Sequence, residues 1–179
     1  AVPAPTLTGS VESDLLLIDK VVGVGEVALS DHRSSQPSFE ALAALAGEAR
    51  RGGLLSGKAG LVNLHLGDGA RGLALLRALV EGTELPHRQF LPTHVNRNER
   101  LFGEAQAYAL GGGPVDLTTS TLPRFLEEGE VKSSRGLKRL LDAGVDPGLV
   151  TFSSDGQGSL PDFDGTNQLR HITINQISS

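Results

Sequence analysis

The stretch GLVNLHLGDGARGLALLRALVEG, residues 60–82, decides the fold class because it joins a strand-like run directly to a helical one. Its first part is short and apolar, and it ends near His65 just before a glycine-containing turn, which is typical of a buried β-strand. Its second part places Leu73, Leu76 and Val80 at three- and four-residue spacing, as on one face of an α-helix. A strand followed at once by a helix is the repeating unit of a parallel α/β fold.

The same alternation continues on both sides of this stretch. We expect four further strands, at residues 21–30, 88–94, 114–120 and 148–156. We expect further helices at residues 9–20, 37–53, 98–113 and 135–144, the first of them beginning after Ser10. Five strands separated by helices predict one parallel sheet with the helices packed outside it.

Composition and charge exclude several classes of protein. The chain has 179 residues, enough for one domain with a sizeable core. It carries 16 Lys and Arg against 21 Asp and Glu, which argues against nucleic acid or an anionic membrane as its partner. No apolar run approaches the roughly 18 residues of a membrane span. The absence of cysteine excludes disulfides, thiolate catalysis and cysteine-ligated zinc.

The two ends of the sequence predict a portion of a longer protein. The opening AVPAPTLTGS lacks the basic start and apolar core of a signal peptide, so the cytoplasm is the expected location. The chain contains no methionine and stops in the β-branched run HITINQISS. We therefore expect residues 1–179 to form one domain or part of one.

Ionisable side chains collect where the predicted strands end. Glu26 lies in the first strand, while His65, His94 and Asp155 stand at or near the ends of three others. In parallel α/β folds, ligands bind beyond the carboxyl ends of the strands. Imidazoles and carboxylates are the usual zinc ligands where cysteine is absent. The four residues are therefore candidate metal ligands, and Asp155 could also take a proton from a metal-bound water.

Two arginines follow these strand ends. Arg33 and Arg97 could each bind a substrate carboxylate through two parallel hydrogen bonds. A structural interpretation of each residue stays open: a histidine at a strand end is often part of the core, Asp155 could cap a turn, and Arg33 could form a surface salt bridge. From composition and spacing alone, the sequence predicts a possible metal hydrolase on part of a β/α barrel.

Five motifs, taken together and in order, resemble those of the bacterial isoaspartyl dipeptidases of the amidohydrolase superfamily. They are TLTGSVESD (6–14), SDHRSS (30–35), RGGLLSGKAG (51–60), LPTHVNRN (91–98) and SSDGQGS (153–159). The resemblance implies a (β/α)₈ TIM barrel of the metal-dependent hydrolase type, of which this chain covers about strands 4 to 8. It also implies two zinc ions bridged by hydroxide, a small β-sandwich domain outside this chain, and hydrolysis of β-aspartyl dipeptides.

The resemblance also implies a role for each matching residue. His65 and His94 correspond to the histidines of the fifth and sixth barrel strands that bind the second zinc. Asp155 corresponds to the eighth-strand aspartate, which is both a zinc ligand and the general acid/base. Glu26 stands where better-known members carry a carboxylated lysine that bridges both metals, and a glutamate can also bridge two cations.

Substrate contacts carry over in the same way. Arg97 and Ser159 match the pair that holds the α-carboxylate of the aspartyl unit, and Arg33 matches the arginine that contacts the other end of the dipeptide. The connection 120–133 would be a loop above the barrel. The His-x-His pair of the first strand and a tyrosine that polarises the scissile carbonyl have no counterpart in this chain, so we expect the isolated fragment to be inactive. We expect the complete enzyme to be a homo-oligomer.

Other functions remain open from the sequence. Another amidohydrolase, such as a dihydroorotase or an N-acyl-amino-acid hydrolase, would share the metal ligands. A non-catalytic degenerate barrel could bind an acidic metabolite. An open flavodoxin-like sheet would also fit five strands, although it would leave the paired histidines without a purpose.

Overall fold

The computed structural model describes residues 6–156, 159–163 and 168–174, and strands and helices alternate along it. The strands are β1 (Gly23–Leu29), β2 (Leu61–Leu66), β3 (Phe90–Thr93), β4 (Val115–Thr118), β5 (Val150–Ser153), β6 (Ser159–Phe163) and β7 (Leu169–Ile174). The helices are α1 (Val11–Leu17), α2 (Phe39–Ser56), α3 (Ala74–Gly82), α4 (Glu99–Leu110), α5 (Pro123–Glu127) and α6 (Ser133–Asp142). The predicted order of five strands and their helices is confirmed.

The strands β1 to β5 pair in parallel, as predicted, but their backbone hydrogen bonds form two groups. One sheet has the order β1-β2-β3, and β4 pairs with β5. The strands β3 and β4 are held together largely by side-chain hydrogen bonds. The Thr93 hydroxyl donates to Asp116 Oδ1 at 2.7 Å. Just beyond β3, the backbone N–H of Val95 donates to the Asp116 carbonyl oxygen at 3.3 Å. The carboxyl ends of β1, β2 and β3 therefore lie along one edge.

Side chains at the helix N-termini explain where several helices begin. The hydroxyls of Ser10 and Ser38 accept hydrogen bonds from Ser13 N and Ala41 N, and Asn98 caps α4 in the same way. The start of α1 after Ser10 is confirmed. Helix α2 begins at Phe39 because Ser38 is its cap, two residues beyond the predicted start at residue 37.

The predicted end of α2 at residue 53 is wrong. The helix continues through Gly52 and Gly53 to Ser56 and ends at Gly57, whose φ of 70° is left-handed. A Cβ on Gly53 would stand 2.6 Å from the Cα of Gly60, and one on Gly52 would stand 2.8 Å from the Cβ of Leu15. These two glycines therefore allow neighbouring segments to approach closely rather than terminating the helix.

The core lies between the parallel strands and the helices that cover them. Leu64 and Leu66 of β2, Phe90 of β3 and Leu117 of β4 are fully buried, together with Phe102 of α4. Alternate residues of β2 are buried, as expected when one face of a strand contacts the core. Burial of this apolar surface fixes the strands in register and thereby sets the positions of the side chains at their ends.

Two features were not predicted from the sequence. The connection 120–133 contains the short helix α5, and β6 pairs with β7 as an antiparallel ladder.

Within the described residues, no helix is both long enough and apolar enough to cross a bilayer.

Candidate metal centre

Three donors from three neighbouring strands converge at the edge of the β1-β2-β3 sheet. His65 Nδ1 lies 3.2 Å from Glu26 Oε1, and His94 Nε2 lies 3.8 Å from the same oxygen. One ligand atom from each residue falls within 4.8 Å of the other two, so the group could hold a metal ion. The two imidazole rings meet edge to face with their centroids 4.6 Å apart.

Glu26 reaches this group from inside β1 rather than from its end. The pairing of β1 with β2 is interrupted between Val24 and Val27, so Glu26 lies in an irregularity of the ladder. Such an interruption redirects a side chain that regular pleating would place elsewhere. Its side chain remains 46% exposed, whereas that of His94 is only 5% exposed.

The charge states of these residues suit metal binding. Burial, together with the positive charge of Arg97, lowers the pKa of His94 to about 4, so the imidazole is neutral at pH 7. The hydrogen bond from His65 lowers the pKa of Glu26, which is therefore ionised. Metal binding requires a neutral imidazole and a deprotonated carboxylate.

The backbone turns sharply where β1, β3 and β5 end. Ser30, His94 and Asp155 have φ values of 53°, 62° and 49°, all in the left-handed region. Residues other than glycine adopt this region at a cost, and such residues cluster at functional sites. Two of the candidate ligands thus occupy unfavourable backbone conformations.

Asp31 is a partner of the site that the sequence analysis missed. Its Oδ2 lies 3.4 Å from His65 Nε2, on the side of the ring that faces away from Glu26. Arg33 binds both Asp31 oxygens, from Nε at 3.0 Å and from Nη2 at 2.8 Å, and this contact holds the pKa of Asp31 well below its usual range. A carboxylate behind a ligating histidine is a common outer partner that fixes ring orientation. The motif SDHR, in which Asp31 stands two residues before the predicted Arg33, carries this signal in the sequence.

A cavity of about 520 Å³ opens beside the three donors, and its wall includes Arg33, Arg97 and Asp155. Arg97 is held in place because its Nε donates to the Leu66 carbonyl at 2.8 Å. The pKa of His94 is lowered chiefly by burial, and the negative charge of Asp155 opposes this lowering without reversing it. The structure thus brings Asp155 to the same cavity, although the group of donors within 4.8 Å among the described residues consists of the other three.

The structure describes the side chains of two of the three residues predicted to bind the substrate, Arg33 and Arg97. Arg97 and Arg33 both line the cavity, but Arg33 is also committed to its salt bridge with Asp31. Ser159 begins β6, and its side chain lies outside the described part of the structure.

The chain is similar to solved structures of a β-aspartyl dipeptidase. No protein-family model matches the sequence. The enzyme of the thermophilic, keratin-degrading Fervidobacterium islandicum AW-1, in complex with β-Asp-Leu dipeptide, matches with a TM-score of 0.88 and 42% identity over 98% of this chain and 45% of that chain. A second structure of the enzyme from this organism matches with a TM-score of 0.79 and 43% identity, over 87% of this chain and 41% of that chain.

The chain thus spans less than half the length of these enzymes. The first match nevertheless extends over nearly the whole of this chain. The resemblance to the isoaspartyl dipeptidases is therefore confirmed, and the chain corresponds to somewhat less than half of such an enzyme.

Proposed function

We propose that the protein hydrolyses β-aspartyl dipeptides in a metal-dependent reaction, for which this chain supplies Glu26, His65 and His94 as metal ligands and Asp155 as ligand and general acid/base. The observation that carries the proposal is the convergence of the three donors beside a cavity with two arginines. The similar enzyme holds a β-Asp-Leu dipeptide, which supports the same substrate class here. As part of this proposal, residues 1–179 contribute about strands 4 to 8 of a (β/α)₈ catalytic barrel.

The donor set fits zinc. Two imidazole nitrogens and a carboxylate oxygen are typical Zn²⁺ ligands, and the neutral state of His94 suits the ion. A zinc ion bound there would polarise the scissile carbonyl and lower the pKa of a bound water to roughly 7. The resemblance predicts two ions, a number that metal analysis would measure.

The residues of this chain would then perform distinct tasks. Asp155 would accept the proton of the attacking water and transfer it to the leaving amine. Arg97 and Ser159 would bind the α-carboxylate of the aspartyl unit, and Arg33 the other end of the dipeptide. We further propose that the complete protein is a homo-oligomer in the cytoplasm, which light scattering and cell fractionation would test.

Removal of metal tests the proposal directly. We expect the complete zinc-loaded protein to hydrolyse β-Asp-Leu but not α-Asp-Leu, to lose this activity after dialysis against a chelator, and to recover it when zinc is added. The measurement is leucine release, followed together with zinc content per chain. A zinc-loaded protein that leaves β-Asp-Leu intact would refute the proposed function, and activity unaffected by the chelator would refute the role of the metal.

Replacing Arg97 with methionine should lower kcat/KM for β-Asp-Leu about 10- to 100-fold, because a charge-assisted hydrogen bond to the substrate is lost. The zinc content should not change, since Arg97 is not among the donors. The exposed Arg88 offers a matched control, and Arg88→Met should retain full activity. If Arg97→Met loses its zinc instead, Arg97 supports the metal centre rather than the substrate.

A further inference from the structure

The strand β4 contributes no residue to the donor group, yet its side chains contact the segments that carry His94 and Asp155. Thr118, at the end of β4, is buried, and its hydroxyl forms a hydrogen bond with His94 Nδ1. Asn96 fixes Thr118 on both sides: Asn96 Oδ1 accepts from the Thr118 N–H at 2.8 Å, and Asn96 Nδ2 donates to the Thr118 carbonyl at 3.0 Å. The hydroxyl is therefore held at a defined position behind the imidazole.

This contact bears on which nitrogen of His94 can bind a metal. Nε2 faces Glu26, and Nδ1 faces Thr118. An imidazole that binds a metal through Nε2 carries its proton on Nδ1 and needs an acceptor for it. The Thr118 hydroxyl oxygen is placed to accept that proton, so the contact is compatible with the tautomer and fixes the ring orientation that Nε2 coordination requires.

Asp116, on the same face of β4 as Thr118, links the two neighbouring strands. Asp116 is 5% exposed, and its carboxylate accepts hydrogen bonds from three hydroxyls, those of Thr93 at 2.7 Å, Ser153 at 2.6 Å and Thr151 at 2.7 Å. A buried carboxylate is costly unless it is hydrogen-bonded. Thr93 directly precedes His94, and Ser153 lies two residues before Asp155.

We infer that β4 is the positioning strand of the metal centre. Thr118 orients His94 for coordination through Nε2, and Asp116 holds the ends of β3 and β5 together so that His94 and Asp155 face the same cavity. In this inference both residues act through the residues they hold. The inference rests on the proposed function, because it assumes that His94 is a metal ligand.

Zinc affinity of Thr118 variants tests this inference. In the complete protein, Thr118→Val should weaken zinc binding about 10- to 100-fold, as the loss of an outer hydrogen bond to a ligating histidine does. Thr118→Ser, which keeps the hydroxyl, should restore affinity to near the wild-type value. The neighbouring Thr119 is exposed, and Thr119→Val serves as the matched control with unchanged affinity. The dissociation constants are measured by competition with a chromophoric chelator, and the visible spectrum of the cobalt-loaded protein reports ligand geometry.

The outcomes separate the inference from the proposed function. Wild-type zinc affinity in Thr118→Val overturns the inference alone, provided the wild-type protein binds zinc, whereas a wild-type protein that binds no zinc overturns both. If Thr118→Val does not fold, Thr118→Ala removes the same hydroxyl without adding a methyl group and carries the same expectation. Asp116→Asn should lower kcat for β-Asp-Leu with little change in KM, and a wild-type kcat would remove Asp116 from the proposal.

Discussion

Replacement of His94 with alanine is expected to abolish hydrolysis of β-Asp-Leu and to reduce the zinc content of the protein. His94 Nε2 is one of only three donor atoms in the described group, and the ring is almost fully buried between Thr118 and Glu26. The loss should exceed the 10- to 100-fold typical of changes behind a ligand, because here the ligand itself is removed. Zinc per chain and kcat/KM would be measured on the same preparation.

A second histidine provides the control for this variant. His87 lies in the turn before β3 and contacts the ring of Tyr108, away from the donor group. His87→Ala should retain both zinc and activity. Unchanged turnover in His94→Ala would remove His94 from the metal centre, and with it the main support for a catalytic function of this edge of the sheet.

The candidate ligands could be predicted from the sequence because the spacing of apolar residues shows where each strand ends. Once the strand–helix alternation is recognised, the carboxyl ends of parallel strands must meet at one edge. His65 and His94 are therefore expected to lie together, and the structure confirms that they are adjacent. Asp155, expected at the same edge, lines the same cavity.

The partners behind these residues could not be predicted in this way. These partners are Asp31, Thr118 and Asp116, and each contacts a residue on a strand that is distant in sequence. Whether such a contact forms depends on strand register and side-chain direction rather than on spacing along the chain. Thr118 and Asp116 belong to a strand, β4, that carries no ligand, so a search restricted to metal-binding residue types passes over it. The extension of α2 past Gly53 could not be predicted for a similar reason. Gly53 is required because Gly60 lies against it, and only the structure shows this contact.

Asp155→Asn is expected to lower kcat for β-Asp-Leu by about 10²- to 10⁴-fold, the range associated with loss of a general acid/base. Asparagine is a suitable replacement because it tolerates the left-handed conformation that Asp155 adopts, with φ of 49°. The variant should lose less zinc than His94→Ala, since Asp155 lies outside the group of three donors. Asp142→Asn, at an exposed position of α6, is the control and should be fully active.

A second carboxylate in the cavity, that of Glu130, is an alternative candidate for the general acid/base role proposed for Asp155. Glu130 also lines the cavity, and burial raises its pKa, so it could serve as a proton donor. Asp155, however, lies close enough to His94 and Arg97 for its negative charge to act on both, although burial lowers the pKa of each. If proton transfer belongs to Asp155, Glu130→Gln should reduce kcat far less than Asp155→Asn. The reverse order of the two effects would transfer the acid/base role to Glu130 and leave Asp155 with its proposed role as a metal ligand alone.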